Sequence, residues 1–244
     1  MQRIIFFLVF MMFGLASNFA QQQFEKDTIS TSKGNLIITF IGHASLIFDY
    51  NNMVIQVDPF GRLADYSALP KADLILITHE HGDHCDPEAV KQIRTENTAI
   101  VLTKACAEKI SGGIIMKNGD VKTVKGIKIE AVPAYNIVHK RDNGEPFHPK
   151  GDGNGYIIQF GDKKVYVAGD TENTPEMKSL VGIDIAFLPM NLPYTMTPEM
   201  VADAAKSFKP KILYPYHYGE TDVSKIVELM KDTKDVEVRI RKMK

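Results

Sequence analysis

Short apolar runs separated by polar and turn-forming residues recur along the chain and predict a protein rich in β-strands. In the first half the runs are NLIITFIG, SLIFDY, MVIQVDPF, ADLILIT and IKIEAVPAY. The second half continues the pattern with YIIQFG, KKVYVAGD, IDIAFLP and KILYPYH. Each run has the length of a single strand, so a core built on β-sheet is expected.

Helical patterns lie among these strands. A first helix is predicted from Pro87 to about Arg94, with Asp86 as its N-cap and proline at the first helical position. Two more are predicted late in the chain, over TPEMVADAAKSF, which has a capping threonine, and over DVSKIVELMK. Because helices stand between the later strands, the sequence favours an α/β layered sandwich over an all-β barrel.

Composition narrows the class of protein. The chain has 244 residues, 44% hydrophobic and 24% charged, which suits one sizeable domain with its own core. Its 29 Lys and Arg residues balance 30 Asp and Glu residues, so composition offers no electrostatic footprint for nucleic acid. An anionic substrate would therefore have to meet a local cluster of positive charge.

The N-terminal segment differs from the rest of the chain. Arg3 precedes the apolar stretch IIFFLVFMMF, and GLASNFA then ends at Ala20. This is the pattern of a secretory signal peptide over 1–20, although Asn18 is a poor residue three positions before the cut. A membrane anchor is the alternative, but the stretch is well short of the roughly 20 residues that span a bilayer. We expect cleavage near Ala20, a periplasmic or secreted protein without a retained anchor, and a single mature domain over 21–244.

Two cysteines occur, Cys85 and Cys106. In an oxidising compartment they could pair, but two cysteines do not make a disulfide framework. Two buried free thiols are the favoured interpretation. A role for Cys85 as a soft metal ligand is less favoured than either.

The segment ITHEHGDHCD places three histidines and three acidic residues directly after the apolar run ADLILIT. His79 and His81 stand two apart, so an extended backbone aims both imidazoles to one side. Gly82 permits the tight turn that presents Asp83 and His84. Such a cluster beside a core is costly unless a bound cation compensates it. Histidine with carboxylate ligands suits zinc or another transition metal better than calcium or magnesium.

Two later residues also follow apolar strands. Asp170 comes after KVYVAG, and His217 comes after KILYPY. In layered α/β folds, sites form beyond the carboxyl ends of strands, so both residues are candidate metal ligands. Taken alone, each has an ordinary alternative, a turn aspartate and a packed histidine.

The motif THEHGDHCD resembles the metal-binding motif of the metallo-β-lactamase superfamily. FIGHASLIF, VDPF, AGDT and YPYHYG agree with that family in order, across nearly the whole mature chain. The resemblance implies a four-layer αββα sandwich with two metal ions at one edge between its sheets. It assigns His79 and His81 to the first metal site, Asp83, His84 and His217 to the second, and Asp170 to the bridge.

One first-site histidine remains to be found, and the long loop NIVHKRDNGEPFHPKGDGNG offers His139 and His148. Loops of this length in a compact domain are usually functional. Many relatives carry the ligand soon after a segment like VPA, where this chain has Asn136. VPAYN followed by FHPKGDGNGY resembles a branch close to the ascorbate-6-phosphate lactonases, in which the histidine before PKG is the ligand. His148 is therefore favoured over His139. His43 of GHAS recurs in this branch and is predicted to support the ligands or face the substrate, with a structural histidine as the alternative.

The resemblance implies hydrolysis. Two divalent transition-metal ions, zinc or manganese, would share Asp170 and hold a hydroxide that attacks a carbonyl carbon or a phosphorus atom. Asp83 could orient this group and take up its proton, which makes Asp83 and His43 the candidate catalytic residues. The expected substrate is a small lactone, phosphodiester or related ester.

Substrate contacts are predicted from two segments. Lys140, Arg141 and Lys150 in the long loop are candidates for contact with an anionic substrate, but solvated loop charges are the favoured interpretation of each. Tyr194 and Met196 in NLPYTMTPEM resemble a segment that borders the pocket in this branch. They would form an apolar wall there, and packing in the core is an equal alternative.

Two other functions compete with this one. A metal-binding sensor or scavenger without turnover would keep the ligands, but the presence of all seven proposed ligands favours an enzyme. True β-lactamase activity is least favoured, because GHAS, AYN and HPKG resemble the lactonase-like branch instead.

Overall fold

The computed structural model describes residues 23–244, and the predicted signal peptide over 1–20 lies outside them. Within the described residues, two seven-stranded sheets form, and in each sheet neighbours in space are neighbours in sequence. The first sheet contains β1 Glu25–Thr31, β2 Gly34–Gly42, β3 Ser45–Tyr50, β4 Met53–Val57, β5 Leu74–Leu76, β6 Ala99–Leu102 and β7 Ile114–Ile115. The second contains β8 Val121–Val124, β9 Ile127–Ala134, β10 Gly153–Phe160, β11 Lys163–Val167, β12 Ile185–Pro189, β13 Ile212–Tyr216 and β14 Glu237–Val238.

The two sheets share one connection pattern. Strands β1 to β4 pair antiparallel and β4 to β7 pair parallel. Strands β8 to β11 likewise pair antiparallel, and β11 to β14 pair parallel. Each half of the chain therefore ends its sheet with parallel strands, whose carboxyl ends can meet at one edge of the molecule.

Three apolar clusters separate four layers. The central one lies between the sheets and joins side chains of both, such as Phe40 and Phe48 with Phe160, Phe187 and Tyr214. A second covers the outer face of the later sheet, and a third covers the outer face of the earlier sheet. Helices complete both outer clusters, so the predicted αββα sandwich is confirmed.

The helices are α1 Pro87–Ile93, α2 Lys104–Ala107, α3 Pro175–Lys178, α4 Pro198–Phe208 and α5 Ser224–Met230, with a 3₁₀ turn over Tyr66–Ala68. The predicted caps are present: Asp86 accepts from the backbone of Glu88 and Ala89, and Thr197 accepts from that of Met200. The three predicted helices are thus confirmed. Helices α2 and α3 were not predicted, because four residues are too few to show a helical period.

Cys85 and Cys106 are both free and buried, as expected, in the apolar layer between the first sheet and its helices. A hydrogen bond between the two thiols, together with burial, raises the pKa of Cys85. A buried, neutral thiol is a small hydrophobic group rather than a metal ligand.

Across residues 23–244, none of the helices has both the length and the apolar character to span a bilayer.

Candidate metal centre

The candidate ligands lie just beyond strand ends at one edge of the sandwich. Strand β5 leads into His79, β11 leads into Asp170, and β13 leads directly into His217. Strand β4 ends one residue before Asp58, which joins the same edge. The predicted grouping of these strand ends is therefore what the fold produces.

A first group of three imidazoles comes from the histidine motif and the long loop. Ligand atoms of His79, His81 and His148 lie close enough to hold one metal ion, within 4.8 Å of one another. Nε2 of His79 is 3.1 Å from Nδ1 of His81. The structure thus brings His148, 67 and 69 positions after its partners in the chain, to the two motif histidines, as favoured from its position before PKG.

A second group combines His43, Asp83, His84 and His217. Nε2 of His43 lies 2.9 Å from Oδ2 of Asp83, and the rings of His43 and His217 are 3.7 Å apart between centroids. The backbone N–H of His217 donates to the carbonyl of His43, which fixes the two residues side by side. His43 is therefore within reach of an ion as well as in contact with a proposed ligand.

Asp170 lies between the two groups. Its Oδ2 is 3.3 Å from Nε2 of His148 and 3.4 Å from Nε2 of His217. Its Oδ1 is 3.4 Å from Nε2 of His84. A carboxylate that faces histidines of both groups has the position expected of a bridging ligand.

The turn that presents Asp83 and His84 differs from expectation in one respect. His84 and Cys85 both donate their backbone N–H to the carbonyl of His81, at 3.0 and 2.7 Å. Gly82 does not have a positive φ, and an added Cβ there would meet nothing within 4 Å. Gly82 was expected to permit this turn, but hydrogen bonds of helical type close it without a positive φ, so glycine is not required at this position.

Four buried histidines have Nδ1 next to a polar side chain, which leaves Nε2 directed at the centre. These pairs and their separations are His79 with Thr78 (3.0 Å), His84 with Asp58 (2.9 Å), His148 with Asn136 (2.7 Å) and His217 with Asn191 (3.3 Å).

Asp58 was missed as a functional residue. Its carboxylate is fully buried and accepts from the backbone N–H and the hydroxyl of Thr78, at 2.8 and 2.7 Å, as well as facing His84. Its place at the end of the strand in VDPF was the available signal, the same one that indicated Asp170.

Backbone strain concentrates at the site. His43, Asp58 and His217 adopt φ values of 50°, 44° and 45°, in the left-handed region that side chains with a Cβ disfavour. Such conformations persist only where surrounding structure enforces them, and they cluster at functional sites.

The electrostatics of the site favour a positive charge. Burial alone would lower the pKa of His84, but Asp170 and Asp58 outweigh it and raise that pKa to about 9. Burial would raise the pKa of Asp83, yet the hydrogen bond from His43 and the nearby His84 hold it well below its usual range. Burial lowers the pKa of His79, which keeps that imidazole neutral, the form that binds metals.

The donor set fits a bound metal. Nε2 of His84, His148 and His217 and Oδ1 of Asp170 are buried without a hydrogen-bond partner among the described residues. Unpaired buried polar atoms are costly, and here they converge on shared points rather than being scattered. Transition-metal ions coordinated by imidazole and carboxylate would satisfy all four.

His139 lies away from both groups. Its Nδ1 is 2.7 Å from Oε1 of Glu172, a fully buried carboxylate. Its side chain therefore contacts Glu172, whereas His148 faces Asp170.

A cavity of about 340 Å³ opens over the two groups, within the size range of small-molecule sites. Beyond the ligands, its wall includes Arg141, Phe147, Asn191 and Tyr194. The predicted contacts Arg141 and Tyr194 thus reach the cavity.

The other predicted substrate contacts do not line this cavity. Met196 has no exposed surface and packs in the core under the later sheet, so it cannot form a wall for a substrate. Lys150 donates to Glu176 at 2.6 Å and lies over the ring of Tyr135, which holds it outside. The backbone of Lys140 forms an isolated antiparallel β-bridge with that of Pro146 in the same loop.

Comparison with known proteins agrees with this geometry. The sequence model of a protein family described as the beta-lactamase superfamily domain matches residues 37–217, which include every proposed ligand. The chain belongs to the metallo-β-lactamase superfamily.

Several relatives of this chain are named metal-dependent hydrolases. A UPF0173 metal-dependent hydrolase of Pelotomaculum thermopropionicum is 31% identical over 83% of this chain and 95% of its own length. Another from Thermococcus onnurineus is 35% identical over 75% of this chain and 84% of its own length.

Solved structures show the same fold. A Parabacteroides distasonis protein, proposed to be a metal-dependent hydrolase, is 50% identical, with a TM-score of 0.87 over 91% of this chain and 100% of its own. Igni18, a metallo hydrolase of Ignicoccus hospitalis, is 26% identical, with a TM-score of 0.69 over 84% of this chain and 94% of its own.

Proposed function

We propose that this metal-dependent hydrolase is exported, holds two divalent transition-metal ions, zinc or manganese, and cleaves a small lactone, phosphodiester or related ester. One observation carries the proposal: four buried donor atoms without partners converge on two groups of ligands that Asp170 joins. Membership of a superfamily with relatives named metal-dependent hydrolases supports it.

The ligands divide into two sets around one bridge. His79, His81 and His148 would hold the first ion, and Asp83, His84 and His217 would hold the second. Asp170 would contact both. When bound, the two metal ions would supply the Lewis acidity that activates water at neutral pH and stabilises developing negative charge.

Asp83 would accept the proton of the attacking water, and His43 would orient Asp83. The Asp83 side chain is 39% exposed and lines the cavity, so its carboxylate can accept a proton from water there. The contact of His43 with Oδ2, at 2.9 Å, holds this carboxylate in one orientation. His43 would thereby assist catalysis through Asp83.

The cavity wall favours a small anionic substrate with an apolar or flat portion. Arg141 is the one Lys or Arg side chain that lines the cavity, and it has no ion pair with a described carboxylate. Its guanidinium lies over Phe147, 5.3 Å from the ring centroid, and Phe147 meets Tyr194 edge to face at 5.1 Å. This places one positive charge beside two aromatic rings.

The proposed activity is tested with bis(p-nitrophenyl) phosphate and a panel of lactones. Full-length protein loaded with zinc or manganese is expected to hydrolyse at least one of them, and chelated protein is expected not to. A β-lactam in the same panel is expected to remain intact. Loaded protein that cleaves none of the esters would contradict the proposal and favour a metal-binding sensor or scavenger.

A further inference from the structure

Asn136 occupies a buried position between the long loop and the metal centre. It follows β9 by two residues, and only 6% of its surface is exposed. Its Nδ2 donates to Oε1 of Glu172 at 3.2 Å and to the carbonyl of Tyr194 at 2.9 Å. Its Oδ1 faces the backbone N–H of His148 at 2.9 Å and Nδ1 of the same residue at 2.7 Å.

These contacts fix which end of the amide faces His148. A carboxylate and a carbonyl can only accept hydrogen bonds, so the NH₂ end of Asn136 must face Glu172 and Tyr194. The oxygen end must then face His148. Because an amide oxygen can only accept, Nδ1 of His148 must carry a proton.

A proton on Nδ1 prepares the other nitrogen for a metal. In a neutral imidazole with Nδ1 protonated, Nε2 carries a lone pair, and Nε2 is the atom that lies 3.3 Å from Oδ2 of Asp170 without a hydrogen bond. Without the amide oxygen, the proton could move to Nε2, where Asp170 would accept it. That tautomer cannot offer Nε2 to a metal ion.

Glu172 holds the amide in place. Its carboxylate is fully buried and accepts from three successive backbone N–H groups, those of Ile137 (2.7 Å), Val138 (2.6 Å) and His139 (2.7 Å). These charge-assisted hydrogen bonds compensate the buried charge and fix its position. The carboxylate oxygen that receives the Asn136 amide is therefore immobile.

We propose that Asn136 is a positioning residue that selects the Nδ1–H tautomer of His148, with Glu172 holding its amide in the orientation that this requires. The inference rests on the proposed function in one respect, the role of His148 as a metal ligand.

The tautomer is measured by long-range ¹⁵N–¹H NMR of the full chain, free of metal and loaded with zinc. Wild-type His148 is expected to show a protonated Nδ1 in both states. A wild-type Nε2–H tautomer would overturn the inference.

Three variants distinguish a loss of the tautomer preference from a general loss of folding stability. Asn136→Ala is expected to lose the Nδ1–H preference and to weaken first-site zinc binding about 10- to 100-fold, as loss of a ligand's supporting contact does. Asn136→Asp keeps an acceptor oxygen for Nδ1 of His148 and is expected to retain the Nδ1–H tautomer. It also removes the donor to Glu172 and Tyr194 and places two buried carboxylates side by side, so its free energy of unfolding is expected to fall. Asn143→Ala is the matched control, because this exposed asparagine of the same loop bonds only the nearby backbone of Glu145.

An Asn136→Ala protein with the wild-type tautomer and wild-type zinc affinity would also overturn the inference. If that variant does not fold, the wild-type spectrum still decides it. These readouts do not need turnover. A chain that shows the expected tautomer but cleaves no ester contradicts only the proposed function, whereas an active wild-type enzyme with Nε2–H His148 contradicts only this inference.

Discussion

At the scale of the residue, each buried histidine of the centre depends on a neighbour that holds its Nδ1. These neighbours come from different segments of the chain and are Thr78, Asp58, Asn136 and Asn191. The motif HEHGDH indicates four candidate ligands because they are close in sequence. Asp58 and His84 are 26 positions apart, so no local pattern shows that they meet.

His148 and His139 should respond differently to removal. His148→Ala is expected to lower first-site metal affinity and hydrolysis by at least about a hundredfold, since loss of a ligand should exceed the 10- to 100-fold effect of supporting residues. His139→Ala is expected to cost about tenfold or less, because its ring contacts Glu172 rather than the centre. Zinc titration and turnover check both, and the opposite order of effects would make His139 the ligand.

Arg141 should discriminate substrates by charge. The test compares 4-nitrophenyl hemisuccinate with 4-nitrophenyl butyrate, which differ by a carboxylate in place of a terminal methyl group. Arg141→Ala is expected to raise KM for the hemisuccinate about threefold to tenfold and to leave that for the butyrate unchanged, since one partly exposed charged hydrogen bond is lost. Lys140→Ala is the control. Equal KM changes for both esters in the Arg141 variant would contradict the assignment.

At the scale of the element, strand β1 owes its place to tertiary contacts. Its sequence EKDTIST has no apolar period, yet it pairs with β2 along its whole length. Asp27 accepts from the guanidinium of Arg241 at 2.7 and 2.8 Å and from the hydroxyl of Tyr214. The end of the chain thereby ties the first strand to the second sheet.

Asp27→Asn should destabilise the protein by about 2 kcal/mol, because it removes charged hydrogen bonds in a partly buried site. Burial would raise the pKa of Asp27, but Tyr214 and Arg241 lower it below 3.8. This contribution is therefore fully present above the pKa of the unfolded chain and is lost as pH falls through the lower, folded pKa. Urea unfolding at pH 7 and pH 3 checks it, with the exposed Asp235→Asn as control. An unchanged unfolding free energy at pH 7 would contradict the prediction.

Elements with a strong local pattern were predictable from the sequence, and the rest were not. Strands such as SLIFDY and the capped helix α4 were found because period and caps are local. The polar β1 and the burial of Met196 depend on partners distant in the chain, and α2 and α3 are too short to show a helical period. The same reason explains why the candidate ligands in the histidine motif were predicted while Asp58 and Glu172 were missed.

At the scale of the whole molecule, two halves of like topology place their parallel strand ends at one edge, and the metal centre lies between them. His79, His81, Asp83 and His84 come from the first half, and His148, Asp170 and His217 come from the second. Neither half carries a complete set of the candidate ligands. We therefore expect metal binding and the packing of the two sheets to stabilise each other.

Export is a further prediction at this scale, and it is motivated by the composition of residues 1–20. Mass spectrometry of the protein from its native host should find an N-terminus near Gln21 in the periplasmic or secreted fraction. Recovery of an intact chain beginning at Met1 from the cytoplasm would contradict it.

The central claim is that seven side chains hold two metal ions, three on each side of a shared Asp170. Elemental analysis of full-length protein, reconstituted with zinc and freed of excess metal, tests it most directly. The expected result is about two equivalents per chain, with His79→Ala losing chiefly one of them, since it removes a first-site ligand. Wild-type protein that saturates at one equivalent would contradict the claim.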